Sequence, residues 1–212
     1  MKTQEKILKA ARDLYNAHGV YSLHGEKKVT LREIAKAAGI ADGNLRYHFP
    51  KQPDLLYALY MELVEKLETG IGQVHLGPFD LEYLYQSMVH TCECLYEYKF
   101  MMLDFVGIMR RVEKIKTHFI ALTTFRQQQF KIVTDQLIAD GIMKPPSFPG
   151  QMEAFYQYFQ ISGDFWISSA EIFYDGPEEG KVQHYVDLLF QGIVPYLTDE
   201  GMGEYQAMKK EK

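Results

Sequence analysis

The residues best suited to specific chemistry lie in one short stretch, from Ala41 to Phe49. Leu45 and Phe49 are four residues apart, so a helix through this stretch can anchor one face in a core. The other face then carries a glycine and several polar side chains: Asp42, Gly43, Asn44, Arg46, Tyr47 and His48. A guanidinium can read guanine or clamp a phosphate, and an amide can pair with the edge of a base. These residue types predict a surface that binds nucleic acid.

A second short helix is needed just before this stretch to hold it in place. Thr30 is a good N-cap, and Glu33 completes a capping box three residues later. Val29 and Ile34 can form the hydrophobic staple, and Gly39 ends the helix after two turns. Small residues allow the next helix to cross closely: Ala35, Ala37 and Ala38. Two short helices joined by a glycine turn have the layout of a helix-turn-helix.

The remaining sequence also predicts helices, and the expected fold class is all-α. A first helix runs from about Thr3 to His18, and Gly19 supplies its C-terminal stop. Polar residues at 22–28 predict a loop, and Pro53 suits the first residue of a fourth helix. Later helices are expected at roughly 80–96, 98–110, 112–140, 150–174 and 178–197.

Glycine and proline between Thr69 and Pro78 indicate the best domain boundary. We therefore expect a helix-turn-helix domain at 1–52, a connecting helix at about 53–69, and a larger helical domain at 70–212. The polar tail after Asp199 is expected to be frayed.

Charge is divided unevenly along the chain, whose formal net charge is −5. Residues 1–55 hold ten Lys or Arg and six Asp or Glu, a balance of +4, and the remainder carries −9. A mildly basic N-terminal quarter on an acidic body is the asymmetry expected if only that quarter approaches phosphates.

Nothing in the sequence predicts secretion, a membrane span or a bound metal. There is no run of eighteen apolar residues, and the N-terminal segment alternates charged with apolar residues, unlike a signal peptide. Cys92 and Cys94, two positions apart on a helix, point in different directions and cannot easily form a disulfide. The histidines and cysteines at 90, 92, 94 and 118 lack zinc-site spacing. We expect a cytoplasmic chain without metal or cofactor.

Two stretches of the sequence resemble the DNA-binding motif of tetracycline-repressor (TetR-type) regulators: VTLREIAKAAGI at 29–40 and GNLRYHF at 43–49. The helix that ends in His18-Gly19 and the pair Leu55-Leu56 also match, so the resemblance covers roughly residues 4–60. It implies an all-helical repressor that binds a palindromic operator in double-stranded DNA as a homodimer and is released by a small-molecule effector.

The resemblance implies a role for each matching residue. Thr30 corresponds to the phosphate-contacting cap of the second helix, and Asn44 to the start of the recognition helix. Tyr47 and His48 correspond to the pair that grips phosphates, and Arg46 to either a guanine reader or a phosphate clamp. The full set of candidate DNA-contacting residues is Thr30, Arg32, Asp42, Gly43, Asn44, Arg46, Tyr47, His48 and Lys51.

Two positions depart from the family pattern. The family usually caps the third helix with Ser or Thr, and Ala41 stands there instead. Asp42 can take over the cap, although it brings negative charge near phosphate. Gln52 replaces the basic residue expected two places beyond Pro50, with Lys51 adjacent. These departures leave open which side chain does which job.

The resemblance also implies that the larger domain binds the effector and dimerises through its last two long helices. Both helices are apolar on more than one face, as burial against a core and a partner requires. The candidate dimer residues are Phe155, Phe159, Phe173, Tyr185, Leu189 and Ile193. The candidate ligand residues are Tyr96, Met101, Phe105, Met109, Phe125, Tyr158 and Trp166. For each ligand candidate, an ordinary core position stays open as the alternative.

Other classes of function compete with a DNA-binding regulator. An enzyme needs a nucleophile with its base, metal ligands or a phosphate loop, and the sequence contains no Gly-x-Ser-x-Gly, glycine-rich phosphate loop or His-Glu-x-x-His. We therefore expect no enzymatic activity. A helical small-molecule-binding protein or adaptor that has lost operator binding is the alternative that Asp42 and the acidic body favour. Tyr47 can also be a core aromatic, as we expect of Phe49.

Overall fold

The computed structural model describes residues 2–21, 29–74 and 79–210. Within these ranges the regular structure is helical, apart from isolated bridge residues such as the pair Met143 and Leu197, and the all-α prediction is confirmed. The predicted loop at 22–28 and the last part of the predicted boundary, 75–78, lie outside the described residues.

The α-helices in chain order are α1 (Thr3–His18), α2 (Leu31–Ala37), α3 (Asp42–His48), α4 (Gln52–Val74), α5 (Leu81–Glu97), α6 (Lys99–Leu103), α7 (Phe105–Arg111), α8 (Glu113–Ala139), α9 (Gln151–Phe173), α10 (Lys181–Gln191) and α11 (Asp199–Lys210). Short 3₁₀ turns at Glu178–Gly180 and Val194–Tyr196 flank α10.

The chain divides into two compact units. Unit 1 combines Met1–Lys66 with Glu97–Ile120, and unit 2 combines Leu67–Tyr96 with Ala121–Lys212. Each unit joins segments that are distant in sequence, whereas the predicted domain division near residue 70 follows the chain. That division is based on the glycine and proline residues of 69–78 and stays a prediction.

Unit 1 is built around α1, which packs against α2 and α6, while α2 also packs against α3. α1 has the predicted bounds, and Gly19 ends it with a φ of +75°. Ile7, Ala11 and Tyr15 are fully buried on its inner face. Their spacing of four residues is that of one helix face, which the sequence pattern predicts.

α4 is longer than the sequence predicts. It starts at Gln52 rather than Pro53 and continues to Val74 rather than to about residue 69. A glycine within a helix lowers helix stability by only about 1 kcal/mol relative to alanine. The preceding part of α4, from Leu55 to Leu67, provides a stripe of buried apolar side chains. Gly70 and Gly72 therefore weaken this helix without ending it.

The helix predicted at 98–110 is two helices, α6 and α7, separated at Asp104. The Asp104 carboxylate accepts hydrogen bonds from the backbone N–H groups of Val20 and Tyr21, just after α1. The break thus places a carboxylate where the chain leaves α1. A pattern of apolar residues carries no signal for such a break, because both helices keep their buried faces.

Unit 2 contains α9, α10 and a helix that the sequence does not predict. The expected helix at 178–197 is α10 with a 3₁₀ turn at each end, since Gly192 and Pro195 interrupt regular hydrogen bonding. The expected frayed tail is instead α11. Thr198 Oγ1 accepts a hydrogen bond from Gly201 N at 3.1 Å, an N-cap interaction that the polar composition hides.

α11 packs closely on its own unit. The Tyr205 ring stacks on Phe190 with centroids 5.8 Å apart, and Lys209 Nζ forms an ion pair with Asp187. A Cβ added at Gly201 would lie 2.2 Å from the Ile142 carbonyl oxygen, so glycine is required there. These contacts explain why a helix with a mainly polar sequence is ordered.

Candidate DNA-binding site

The capping box at Thr30 fixes the start of α2. Thr30 N donates to Glu33 Oε2 at 2.7 Å, and Glu33 N donates to Thr30 Oγ1 at 3.3 Å, which confirms the predicted box. Hydrogen bonds from the Thr30 backbone and hydroxyl lower the pKa of Glu33. The carboxylate is thus held in its charged form at the helix N-terminus, where negative charge is favourable.

A glycine turn joins α2 to α3. Gly39 has a φ of +68°, a left-handed conformation that other residues adopt only with strain. Ile40 N donates to Ala35 O at 3.0 Å, and Ala35 is buried. The small side chain allows the chain to return close to α2, and the two helices form the predicted helix-turn-helix.

α3 has one buried face and one exposed face. Leu45 is fully buried, and Phe49, which follows the helix, is buried as predicted. Tyr47 is 84% exposed, so its alternative as a core aromatic is wrong. Asn44 and Arg46 are exposed as well. A helix that enters the major groove needs this combination of an anchored face and a polar outer face.

The nine candidate DNA-contacting residues lie on α2 and α3 or next to them. Seven are exposed: Thr30, Arg32, Gly43, Asn44, Arg46, Tyr47 and Lys51. Asp42 and His48 are half-buried, and the His48 ring meets Tyr47 edge-on with centroids 5.4 Å apart. Lys36 is a further exposed cation that sequence reasoning missed. Its spacing of four from Arg32 is the signal, because that spacing puts both on one face of α2.

Asp42 does not cap α3, contrary to the expectation from the sequence. The N-cap is Ala41, which makes no side-chain hydrogen bond, and Asp42 is the first helical residue. Its carboxylate instead accepts a hydrogen bond from Arg46 Nε, with Asp42 Oδ2 at 2.8 Å. The position next to the cap places the carboxylate one turn below Arg46, and the ion pair forms there.

Gln52 is part of the core of unit 1. Its side chain is buried, and Nε2 donates to Tyr15 Oη at 3.1 Å and to the Val29 carbonyl oxygen at 3.4 Å. Burial raises the pKa of the Tyr15 hydroxyl, which stays protonated. Gln52 therefore joins the start of α4 to α1 and to the residue before the α2 cap. A lysine here would need to bury its charge or leave the core.

Glu97, the last residue of α5, contacts two helices of unit 1, α1 and α4. Its carboxylate accepts hydrogen bonds from Arg12 on α1 and from Lys66 on α4, the latter at 2.6 Å to Oε2. Asn16 Nδ2 donates to Glu97 O at 2.9 Å, while Asn16 Oδ1 accepts from Phe100 N at 3.1 Å. Because α1 packs on α2, the position of Glu97 is linked to the support of the helix-turn-helix.

Unit 2 has an open apolar groove of about 600 Å³ along α9 and α10. Its walls are mainly aromatic and aliphatic side chains: Phe155, Tyr158, Phe159, Ile161, Ser162, Phe165, Trp166, Ser169, Tyr185, Leu188, Leu189, Gly192, Pro195 and Tyr196. Several large apolar residues on these helices are exposed: Tyr158, Ile161, Phe165, Ile172, Phe173 and Leu188. An exposed apolar surface of this kind marks an interaction site in soluble proteins.

The candidate dimer residues divide into two groups. Phe173 is 77% exposed, and Phe159 and Leu189 are half-buried in the groove. The other three candidates differ from the expectation. They are buried within the single chain and offer little surface to a partner: Phe155, Tyr185 and Ile193. Sequence alone could not separate the groups, since both occur on the same two apolar helices.

The candidate ligand residues belong to different units. Unit 1 holds Met101, Phe105 and Met109, and unit 2 holds Tyr96, Phe125, Tyr158 and Trp166. Met101 is buried in a core, whereas Phe125 and Tyr158 are exposed. The structure brings together Tyr96 and Trp166, whose rings stack with centroids 5.9 Å apart. The buried Trp166 Nε1–H donates no hydrogen bond to the described part of the chain.

The cysteines and nearby histidines do not form a metal site in the described ranges, where no group of three or more His, Cys, Asp or Glu is placed to hold an ion. Cys94 Sγ lies 3.5 Å from His90 Nε2 on the same helix. Cys92 is buried, and burial raises the pKa of its thiol to about 12. The Cys92 thiol is therefore protonated at neutral pH.

Two bacterial regulator families match almost the whole chain. The family described as "Bacterial regulatory proteins, tetR family" matches residues 7–59, and that described as "Bacterial transcriptional repressor" matches residues 62–205. The HTH-type transcriptional regulator AcrR of Shigella flexneri is 32% identical over 207 residues, which cover 90% of this chain and 88% of AcrR. This chain belongs to the TetR family.

Solved structures of TetR-type regulators share the fold of 90–100% of this chain. A TetR-family regulator from Marinobacter aquaeolei VT8 has a TM-score of 0.84 and 21% identity, covering 100% of this chain and 98% of its own. LfrR from Mycobacterium smegmatis, solved in complex with proflavine, has a TM-score of 0.59 and 17% identity, covering 90% of this chain and 96% of its own. At these identities the likeness concerns the fold alone.

As a TetR-family member, the chain is a DNA-binding transcriptional regulator, and regulators of this family are not enzymes. The helix-turn-helix of α2 and α3 lies within residues 7–59, the segment that matches the family of bacterial regulatory proteins of the tetR type. Among the helices of the described ranges, none is long and apolar enough to cross a membrane.

Proposed function

We propose that this TetR-family regulator is a homodimeric repressor that binds a palindromic operator and is released from it by a small organic effector. The carrying observation is the exposure of Tyr47 on a helix whose opposite face, at Leu45, is fully buried. A large aromatic side chain left in solvent on a rigid helix suits contact with DNA. Each protomer then offers α3 to one major groove.

The groups around α3 divide between base edges and phosphates. Gly43 and Asn44 start the exposed side of the helix, where a missing side chain allows close approach and an amide can pair with a base edge. Thr30, Tyr47 and His48 have hydroxyl or imidazole groups that can bind phosphate oxygens. The exposed cations Arg32 and Lys51 add attraction to the backbone, so we expect steep salt dependence.

A second copy of the chain is the proposed occupant of the α9–α10 groove. Ile161, Phe165 and Leu188 leave apolar surface exposed along it. Two helices from each protomer would form a four-helix interface with two-fold symmetry, and such symmetry matches a palindromic operator. Phe159, Phe173 and Leu189 remain as dimer residues from the original six.

The effector is proposed to contact Trp166 on the side of Tyr96, a residue that does not line the groove proposed for the second copy. Trp166 is the only one of the seven ligand candidates with a buried, unpaired donor among the described residues. An acceptor atom on the effector would satisfy its Nε1–H, and the stacked Tyr96 ring would extend the apolar surface. In the related fold of LfrR the ligand is proflavine. For this chain we propose only the class, a small organic molecule with an aromatic part and a hydrogen-bond acceptor.

Release from DNA requires that the effector favour a state in which α3 is placed differently. The carboxylate of Glu97 holds both Arg12 and Lys66, so a shift of this residue changes the support of α1 and α4 together. Coupling energies of about 1–3 kcal/mol are typical of allosteric proteins and correspond to about 5–150-fold in operator affinity.

A regulator of this kind acts in the compartment that holds the chromosome, and we therefore propose a cytoplasmic location.

Selection from a pool of random duplexes tests the proposal. The wild-type protein should enrich a palindrome whose half-sites are about one helical turn apart or slightly more, and a footprint should protect both halves. Sedimentation of the complex should show two protomers for each duplex. If no sequence is enriched over random duplex at moderate salt, an adaptor or small-molecule-binding protein without an operator would replace the repressor.

A further inference from the structure

α3 carries an ion pair on the side that the proposed function turns toward DNA. Arg46 Nε donates to Asp42 Oδ2 at 2.8 Å, with 52% of the Arg46 side chain and 40% of the Asp42 side chain exposed. Gly43 lies beside the pair, and a Cβ added there would meet no atom within 4 Å. Gly43 therefore leaves open space beside the pair, while the second carboxylate oxygen of Asp42, Oδ1, is buried and has no hydrogen-bond partner among the described residues.

The carboxylate changes what Arg46 can do near DNA. A phosphate clamp gains from net positive charge and from the release of counterions, and the Asp42–Arg46 pair carries no net charge. A phosphate brought to Arg46 would also be repelled by Asp42, one helical turn away. The edge of a base pair carries no net charge, so the same carboxylate is tolerated there. The charges favour a base over a phosphate as the partner of Arg46.

The geometry of the pair leaves the two Nη groups of the guanidinium available for a contact with DNA. An arginine side chain has five N–H donors in a planar fork, and only the one on Nε is needed for the bond to Asp42. The two Nη groups form the terminal edge, which matches the O6 and N7 acceptors of guanine. Because Nε is held, the plane and direction of this edge are restricted before DNA arrives.

We propose that Asp42 and Arg46 act as one reading unit that selects a guanine in each operator half-site. Arg46 contacts the guanine through its two Nη groups, and Asp42 is a positioning residue that holds Nε. The inference rests on the proposed function, in which α3 enters the major groove. It assigns Arg46 to base reading, where the sequence leaves guanine and phosphate equally open.

The first test uses duplexes that the wild-type protein selects from a random pool. Each guanine of the half-site is replaced in turn by 7-deazaguanine, which keeps base pairing but lacks the N7 acceptor. At one position, changed in both half-sites, wild-type affinity should fall about tenfold or more. The Arg46→Ala protein should bind the natural and 7-deaza duplexes with nearly equal affinity. Equal loss in both proteins at every position would overturn the proposal.

Conservative and matched variants separate base reading from charge. Arg46→Lys keeps the positive charge but not the fork, so guanine preference should fall nearly as far as in Arg46→Ala. Asp42→Ala should reduce the preference for guanine over adenine at that position by about tenfold and steepen the salt dependence. Asp13→Ala is the control, because Asp13 forms an exposed pair of the same spacing with Lys9 on α1, at 2.7 Å. It should leave the preference unchanged.

The outcomes distinguish the inference from the function on which it rests. Full guanine preference in Asp42→Ala would show that Asp42 does not position Arg46. Wild-type affinity in Arg46→Lys would show that Arg46 acts as a simple cation. Either result would contradict the reading unit while the operator stands. Failure of the wild-type protein to enrich any sequence would instead remove the proposed function and the inference with it. Melting temperatures of all four variants within about 2 °C of wild type would confirm that folding is not the cause.

Discussion

The helix-turn-helix of unit 1 is determined by residues that are close together in the sequence. The α9–α10 groove of unit 2 is determined by residues that are far apart in the sequence. In unit 1, Thr30, Glu33 and Gly39 set the ends of α2 within ten positions of each other. In unit 2, the groove needs α9 and α10 together, and Ile161 and Leu188 on its walls are distant in the chain. Local chemistry defines the first region, and tertiary packing decides which apolar residues of the second remain exposed.

The largest expected effect is on dimerisation, and it distinguishes apolar residues in the groove from exposed apolar residues elsewhere. Ile161→Asp places a charge in the proposed dimer interface, which should weaken dimerisation by about 2–5 kcal/mol, or about thirty- to several-thousandfold in Kd. Sedimentation velocity over a concentration series measures the change. Phe148→Asp is the matched control, since Phe148 and Ile161 are both 57% exposed and only Ile161 lies in the groove. Equal dimerisation in the two variants would place the interface elsewhere.

The second effect concerns a carboxylate in unit 2. Burial raises the pKa of Asp164 to about 6, against the opposing influence of Gln160 and Arg126. Its folded pKa is above its unfolded value, so stability falls as pH rises from about 4 through 6. Asp164→Asn should therefore increase the free energy of unfolding at pH 7.5 by about 2–3 kcal/mol and change it little at pH 4. Denaturant unfolding at both pH values measures this, and a loss of stability at pH 7.5 would contradict it.

The third effect tests the buried amide that ties unit 1 together. Gln52→Ala leaves the Tyr15 hydroxyl and the Val29 carbonyl without their shared partner, which should cost about 1–3 kcal/mol. The melting temperature should fall by several degrees, about 2–4 °C for each kcal/mol in a chain of this size. Lys51→Ala, at the exposed neighbouring position, should weaken DNA binding without changing the melting temperature. The reverse pattern would mean that Gln52 is not structural.

The smallest effect concerns the cap of α2, and its pH dependence has the opposite sign to that of Asp164. Hydrogen bonds from Thr30 lower the pKa of Glu33, so its contribution to stability is present above the unfolded pKa. That contribution disappears as pH falls through the folded value. Glu33→Gln should be slightly less stable than wild type at pH 7, and the difference should close below about pH 4. A difference that grows in acid would reject the capping role.

The sequence predicts those parts of the fold that depend on neighbours in the chain. The bounds of α1, the capping box at Thr30 and the left-handed Gly39 are of this kind. α11 was missed because its order comes from Tyr205 and Lys209, which pack on distant residues. Packing against distant residues cannot be predicted from the local sequence, so a polar segment such as this one is predicted to be a frayed tail.

The same distinction applies within the candidate sites. The residue types around α3 are visible in the sequence, but the pairing of Arg46 with Asp42 depends on side-chain rotamers. The buried position of Gln52 depends on Tyr15 and Val29, which accept its amide hydrogen bonds and lie far from it in the sequence. In unit 2, the sequence of a helix that is apolar on several faces does not show which of these faces packs against the same chain. The prediction of Tyr185 as a dimer residue, although it is buried within the single chain, has this cause.

Operator affinity and thermal stability of Tyr47→Ala, measured on the same preparation, test the central claim most directly. Tyr47 is 84% exposed, so the melting temperature should stay within about 2 °C of wild type. Affinity for the selected palindrome should fall about tenfold or more, because a contact to the DNA backbone is lost. Unchanged affinity in a fully folded variant would contradict the claim that the exposed face of α3 binds the operator.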